Sequence, residues 1–303
     1  MGTMSRVPNA VRPGQLTAKP FRGSHAIAGG LLTRAQLRGP AWRRLFRDVY
    51  VSATTRDDHL LRVTAAALVV PVGAAITGRS AALVWGAPLR DYDGDVEVLT
   101  PRRFGPVQGL AIRVGPIGGE DVVDRWGLPV CSPLRTCWEI ARSLSDLDAV
   151  GWIDALARNR NLRRTHLTAE ALRHFGEMGS LRAADALSLC DPRAESPPES
   201  ALRVHIHRAG LARPTPQYRV MTHGEFVARV DLAWPRLKFA VEYDGQWHVD
   251  PRQLADDRTR LRALQSVGWM VFHVTRSDMA DVGALMRELG AALDRRRRDL
   301  ALR

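Results

Sequence analysis

Cysteine and long apolar runs are scarce in this chain of 303 residues. Its three cysteines lack the spacing of a metal site; they are Cys131, Cys137 and Cys190. An odd number of cysteines argues against a disulfide framework and favours a reducing compartment. The longest apolar run, at 63–76, is interrupted by proline and glycine and is too short to cross a bilayer. No secretory signal follows Met1, so we expect a cytoplasmic protein without membrane contact.

Lysine is almost absent, since it occurs only at positions 19 and 238 among 44 basic residues. The formal net charge is +12, and residues 1–60, with ten basic and three acidic side chains, contribute +7 of it. A basic excess concentrated in one segment favours an anionic partner, most often nucleic acid. A GC-rich genome also enriches arginine, so the charge by itself does not decide the function.

Turn-forming residues divide the chain into four predicted segments. Residues 1–23 are rich in proline and glycine, and we expect them to be poorly ordered. Residues 24–75 form a small basic domain, and residues 76–188 an α+β region to which we assign no role. The proline-rich stretch at 190–200 marks the last boundary, and we expect residues 189–303 to form one α/β domain. Its predicted elements are a helix at 197–209, strands near 217–221, 226–234 and 238–244, a helix at 251–266, a strand at 269–275 and a helix at 278–295.

Residues 24–75 contain two short helical patterns followed by an extended segment, which is typical of a winged helix-turn-helix. Thr33 is the predicted N-cap of a helix ending at Gly39, and Pro40 suits the first turn of a second helix over residues 40–46. The arginines expected to contact a DNA groove or its phosphates are Arg43, Arg44 and Arg47. The alternative is a small helical subdomain whose arginines are merely solvated.

Two neighbouring stretches, FVARVDLAW and LKFAVEYD, alternate apolar and polar residues as antiparallel strands do. The apolar face of the first strand would comprise Phe226, Ala228, Val230, Leu232 and Trp234. A register with Trp234 opposite Phe239 sets Asp231 opposite Glu242, with Asp244 on the same face. Carboxylates so placed repel each other, and a divalent ion such as Mg²⁺ would relieve the repulsion. An ordinary amphipathic hairpin with solvated acids remains the alternative.

Further side chains could join these acids. Glu199 occupies the third position of a capping box, yet it shares a helical stripe with Leu202, so a cap and an interior site are both open. His248 follows the second strand and suits proton transfer, although an isolated surface histidine is the alternative. Arg258 and Arg262, one turn apart on the next helix, would bind phosphate or pair with nearby acids.

Five segments of residues 190–280 occur in a recognisable order: ESPPES, VARVDLAWP, FAVEYDGQWH, DDRTRLRAL and GWMVFHVT. In order and spacing they resemble the Vsr-like domain of unknown function. That domain belongs to the PD-(D/E)XK, or restriction-endonuclease-like, superfamily and is related to very-short-patch-repair mismatch endonucleases. More weakly, GGLLTRAQLRGPAWRRLFRDVYV and TGRSAALVWG resemble chains that begin with an AbiEi-like winged helix.

The resemblance implies an α/β chain whose residues 189–303 form a restriction-endonuclease-like domain, a mixed β-sheet flanked by helices. The winged helix and the α+β middle region would precede it. Its metal ligands would be Glu199, Asp231 and Glu242, holding one or two Mg²⁺ or Mn²⁺ ions. Asp244 stands where the superfamily has a lysine, and would be an additional ligand or a water-positioning group. His248 resembles the histidine that these enzymes use near the scissile phosphate.

We therefore expect a metal-dependent endonuclease or nickase that acts on duplex, mismatched or branched DNA in repair or defence. The predicted catalytic residues are Glu199, Asp231, Glu242, Asp244 and His248, and the predicted DNA contacts are Arg43, Arg44, Arg47, Arg258 and Arg262. Because Asp244 replaces the lysine, the alternative is a non-catalytic, antitoxin-like transcriptional regulator with a degenerate nuclease domain. RNA could be cut at the same site, and a homodimer is compatible with the sequence.

Overall fold

The computed structural model describes residues 12–87, 92–245 and 251–302, with only the helical backbone of residues 251–257. The chain has a mixed α/β fold and divides into two compact units, Met1–Glu139 and Ile140–Arg303. The boundary predicted at residue 189 falls inside the second unit. No helix in the described ranges is long and apolar enough to span a membrane.

The first unit contains eight strands and four helices within the described residues. In chain order these are β1 Phe21–Arg22, α1 Gly23–Ala28, α2 Arg34–Leu37, β2 Trp42–Phe46, β3 Val49–Ser52, α3 His59–Ala66, β4 Ala75–Ile76, α4 Gly78–Val84, β5 Val96–Thr100, β6 Leu110–Val114, β7 Val122–Arg125 and β8 Leu128–Cys131. They form an antiparallel sheet, β1-β3-β2, and a mixed sheet, β6-β5-β4-β8-β7. Helix α5, Pro133–Ser143, spans the division between the units.

The second predicted helix of the helix-turn-helix, over residues 40–46, is wrong. Thr33 does cap α2, because its Oγ1 accepts from the Gln36 N–H at 3.2 Å, but α2 ends at Leu37. The following residues form strand β2, which pairs with β3 in a hairpin. Trp42 and Phe46 misled the prediction, since residues four apart share a face in a helix and in a strand alike. Both side chains are buried.

Part of the segment expected to be poorly ordered has regular structure. Residues 12–23 include a 3₁₀ turn at Gly14–Leu16 and strand β1, and Leu16 is buried in a small apolar cluster with Trp42. Phe21 packs edge-on against Trp42, with ring centroids 5.1 Å apart. The remaining residues of that segment, 1–11, lie outside the described ranges.

The second unit contains six helices and four strands within the described residues. These are α6 Asp146–Asn159, α7 Arg164–Arg173, α8 Ser180–Leu189, α9 Pro197–Arg208, β9 Thr215–Thr222, β10 Glu225–Trp234, β11 Phe239–Asp244, α10 Pro251–Ser266, β12 Met270–Thr275 and α11 Val282–Ala301. From α9 onward, the predicted order of elements is confirmed with shifted ends. The sheet order is β12-β11-β10-β9, and it is mixed because β11 and β12 run parallel.

Helices cover both faces of this sheet, so both faces are apolar. One buried cluster joins Leu232 and Val241 to Leu202 of α9 and Leu289 of α11. The other joins Ala228, Val230, Ala233 and Ala240 to Leu264 of α10 and to Trp269. The prediction of a single apolar face is therefore wrong for Ala228 and Val230, which pack in the second cluster. The side of the sheet on which these residues of β10 pack therefore changes between Val230 and Leu232, next to Asp231.

Candidate active site

Strands β10 and β11 bring two of the predicted acids together. Leu232 pairs with Val241 and Trp234 pairs with Phe239, which confirms the predicted register. The pairing ends at Leu232 and Val241, next to Asp231 and Glu242, and these two carboxylates are close enough to interact. Asp231 Oδ2 accepts a hydrogen bond from the backbone N–H of Tyr243 at 3.0 Å, so its carboxylate is held against the end of β11.

Glu199 combines the two roles that the sequence left open. Ser196 is the N-cap of α9, and its Oγ donates to Glu199 Oε1 at 2.7 Å, while the Glu195 N–H donates to Oε2 at 3.1 Å. The same Oε2 also accepts from Gln217 Nε2 at 2.9 Å. The side chain is buried, so this glutamate both organises the start of α9 and faces the sheet.

Gln217 links two of the acids and was not predicted. Its Nε2 also donates to Asp231 Oδ1 at 3.3 Å, so one amide bridges Glu199 and Asp231. Its Oε1 is buried without a hydrogen-bond partner among the described residues. Its backbone has a φ of 49°, an unfavourable conformation for a residue other than glycine. Strain and an unsatisfied polar atom concentrate at functional sites, and no pattern in the sequence marks either one.

The surroundings of Asp231 disfavour the ionised form of its carboxyl group. Burial, together with the charges of Glu199 and Glu242, raises the pKa of Asp231 to about 6 against the lowering effect of the hydrogen bonds from Tyr243 and Gln217. Carboxylate and amide oxygens are the ligands that Mg²⁺ and Mn²⁺ prefer. The carboxylate oxygens of Asp231 and Glu199 therefore suit such an ion, which would take the place of the Gln217 Nε2 hydrogens that now bridge them.

Glu242 is held by an arginine other than the two predicted. Arg260 Nη1 and Nη2 each lie 2.5 Å from a Glu242 oxygen, which makes a bidentate ion pair with a buried carboxylate. Arg258 and Arg262 are exposed on α10 instead. Residues two apart on a helix point in different directions, so only one of these arginines can reach the acid.

Asp244 belongs to a separate pair. Its Oδ2 lies 3.0 Å from Nδ1 of His273 on the neighbouring strand β12. His273 is also the register partner of Glu242 across the parallel strands, so the two residues are neighbours in the sheet. The sequence contains His273 within GWMVFHVT, but no local spacing distinguishes it. The histidine that was predicted, His248, lies outside the described residues.

The three arginines predicted to bind DNA are brought together in the first unit. Arg43, Arg44 and Arg47, on β2 and the turn after it, line a cleft of about 900 Å³. Arg43 is paired with Asp57 at 2.8 Å, and a hydrogen bond from Arg62 lowers the pKa of Asp57. Arg44 and Arg47 are exposed and make no ion pair with a described residue, so they can meet an anion without breaking one.

Comparison with known proteins adds relatives but no activity. No family model matches the chain. Two proteins of Mycobacterium tuberculosis, named Uncharacterized protein MT2308 and Uncharacterized protein Rv2248, are each 33% identical over 168 residues, 55% of this chain. The match spans 62% of each relative's length, less than two thirds of it. The crystal structure of the RV2827C protein from the same species is 17% identical with a TM-score of 0.37, covering 56% of this chain and 66% of that one.

Proposed function

We propose that the chain is a metal-dependent endonuclease or nickase that hydrolyses phosphodiester bonds in DNA. The observation that carries this proposal is the half-buried Asp231, bridged to Glu199 by Gln217 and close enough to Glu242 for the two carboxylates to interact. Structural carboxylates are usually paired with cations. Here Asp231 and Glu199 instead share an amide whose own oxygen is unsatisfied, which suits a site for a cation.

In this proposal Glu199 and Asp231 would hold Mg²⁺ or Mn²⁺, and Gln217 would contribute its oxygen once the amide is turned so that Oε1 replaces Nε2 at the acids. The ion would lower the pKa of a bound water and stabilise charge on the phosphate oxygens. Glu242 is kept in place by its ion pair with Arg260. The cleft lined by Arg44 and Arg47 would hold the DNA backbone.

Asp244 stands where the superfamily has its lysine, so this proposal needs another base. The pair of Asp244 and His273 would be that base. A carboxylate at Nδ1 fixes the hydrogen on that nitrogen and leaves Nε2 free to accept a proton. His273 is 43% exposed, so solvent and substrate can reach it. His248 stays a second candidate for this role.

The test is cleavage of plasmid, mismatched duplex, single-stranded DNA and RNA in Mg²⁺, Mn²⁺ or EDTA. We expect metal-dependent nicking or cutting of DNA that Asp231→Asn and Glu242→Ala each reduce at least about 100-fold. Glu225→Gln, which removes an exposed acid from the same strand β10, is the matched control and should cleave like the parent. Equal rates in Asp231→Asn and the parent would refute the proposal, and preferential cutting of RNA would reassign the substrate.

One observation favours a non-catalytic DNA-binding regulator as a second candidate. Arg260 occupies both oxygens of Glu242, so a metal ligand of the superfamily is already neutralised. In that case DNA binding should be unaffected by EDTA and no metal should support cleavage. Arg260→Gln separates the two candidates, because freeing Glu242 should alter the metal dependence of a nuclease and leave a regulator's binding of DNA metal-independent.

A further inference from the structure

A small pocket in the second unit is lined largely by cationic side chains. It has a volume of about 100 Å³ and lies between helices α7 and α9 and the residues that lead into β9. Its charged residues are Arg164, Arg193, Arg203, Arg213 and Asp191, with His207 beside them. Four arginines against Asp191 and the Asp154 that pairs with Arg203 leave a formal charge of +2. A cavity of this size is large enough for one phosphate group.

The hydrogen bonds in the pocket leave several donors available. Asp191 forms an ion pair with Arg193, with contacts of 2.9 and 2.7 Å, and also lies 3.8 Å from Arg164. Arg203 donates to Asp154 through Nη2 and to the Leu189 carbonyl through Nη1, which leaves only its buried Nε without a partner in the described part of the chain. Only the Nε of Arg213 is engaged, because it donates a hydrogen bond to Nδ1 of His207 at 3.4 Å.

The contact between Arg213 and His207 determines which ring nitrogen of His207 carries the hydrogen. Because Arg213 Nε–H is a donor, Nδ1 of His207 must accept, and Nε2 therefore carries the ring hydrogen. The imidazole then adds a donor to the guanidinium groups of Arg203 and Arg213. Donors that converge on a small cavity are the environment of a bound oxyanion.

The pocket lies along the same stripe of α9 as the candidate active site. Arg203 and His207 follow Glu199 by four and eight residues, one and two helical turns. At 1.5 Å per residue, their positions are about 6 and 12 Å from Glu199 along the axis. A nucleic acid strand with one phosphate at Glu199 and Asp231 could therefore place a neighbouring phosphate in the pocket.

We propose that this pocket binds a backbone phosphate of the nucleic acid substrate, next to the phosphate that is cleaved. This inference rests on the proposed function for its substrate, since the pocket itself requires only a phosphate group. Under this inference, substrate binding involves part of the region around α7 and α8, to which the sequence assigned no role.

The experiment compares full-length protein with the double variant Arg164→Gln/Arg213→Gln. Both arginines lie at the surface, and Arg287→Gln, which removes an exposed charge from α11, is the control. Binding of a labelled DNA duplex is measured by fluorescence anisotropy in EDTA over a series of salt concentrations. Each lost phosphate contact should reduce the slope of log affinity against log salt by about 0.9. We expect that loss in the double variant and no change in the control.

Calorimetry with inorganic phosphate, also in EDTA, tests the pocket independently of DNA. We expect the parent and Arg287→Gln to bind phosphate and the double variant to lose that binding. An unchanged salt slope in the double variant overturns the inference, and phosphate binding with an unchanged slope assigns the pocket to a free small anion. Failure of the proposed nuclease function shows differently, as absent cleavage in Mn²⁺ with the loss of slope still present. Circular dichroism confirms that each variant is folded.

Discussion

At the scale of single residues, Asp231 determines how this protein should respond to pH. Its folded pKa of about 6 is above the ordinary value of 3.8, because the carboxylate is buried near two others. A carboxyl group with a raised pKa binds protons more tightly in the folded state, so its contribution to stability is greatest below pH 4 and is lost as the pH rises through 6. The same residue that suits a metal ion therefore costs stability without one.

Asp231→Asn should relieve this cost. At pH 7 we expect the variant to be more stable than the parent by about 2 kcal/mol, with the difference disappearing near pH 4. Urea unfolding at pH 4, 5.5 and 7 measures it. Adding Mn²⁺ at pH 7 should raise the melting temperature of the parent and not that of the variant. A variant that is less stable than the parent at pH 7 would show that Asp231 is a structural residue.

At the scale of elements, helix α9 is held by a buried acid of helix α6. Asp154 lies on α6, and its side chain is almost completely buried. Its Oδ2 accepts from Ser200 Oγ at 2.7 Å and from Arg203 Nη2 at 2.5 Å, and Oδ1 accepts from the Asp191 N–H at 2.7 Å. Asp154 thus joins α6 to the helix that carries Glu199.

Asp154→Ala should destabilise the second unit strongly. Burial raises the pKa of Asp154 to about 6, as it does for Asp231, but Arg203 opposes the shift and would lose its partner. Removing one member of a buried ion pair costs about 3 kcal/mol. Chemical denaturation at pH 7 measures the loss, with Asp185→Ala on the exposed face of α8 as the control. A change below about 1 kcal/mol would mean that packing alone holds α6 against α9.

At the scale of the whole molecule, the two units carry different parts of the proposed activity. The exposed arginines around the cleft lie in the first unit, whereas the acids and the phosphate pocket lie in the second. Each unit is compact, so a surface substitution in one should not unfold the other. Binding of DNA and its cleavage should therefore respond to different substitutions.

The double variant Arg44→Gln/Arg47→Gln should weaken DNA binding without slowing the chemical step. We expect KM to rise and kcat to stay unchanged, because neither arginine lies with the acids in the second unit. The slope of log affinity against log salt should fall by about 1.8, the amount expected for the loss of two phosphate contacts. Steady-state cleavage and anisotropy titrations check both values. A fall in kcat at unchanged KM would place these arginines in the chemistry instead.

Sequence patterns predicted the second unit much better than the first. The strands β10 and β11 have clear periodicity, and the short hairpin between them fixed the pairing of Trp234 with Phe239. In the first unit, the spacing of Trp42 and Phe46 suits a helix and a strand equally, and the contacts with β3 decide between them. Local patterns are reliable where only one secondary structure can bury the apolar residues.

Within the candidate site, the sequence identified the acids but not their partners. Glu199, Asp231 and Glu242 could be found because their spacing on predicted elements brings them to one place. Gln217, Arg260 and His273 could not, since each reaches the acids from another element. Which of the arginines on α10 faces Glu242 depends on the rotation of that helix against the sheet.

The sequence by itself determined the order of elements from α9 onward, the register of the central hairpin and the positions of the acids along it. These follow from periodicity and turn residues, which act over short distances. Only the tertiary structure decided that both faces of the sheet are covered, that Asp154 is buried and that Gln217 bridges Glu199 and Asp231. Burial and long-range hydrogen bonds depend on how separate elements pack, and a local pattern does not contain that information.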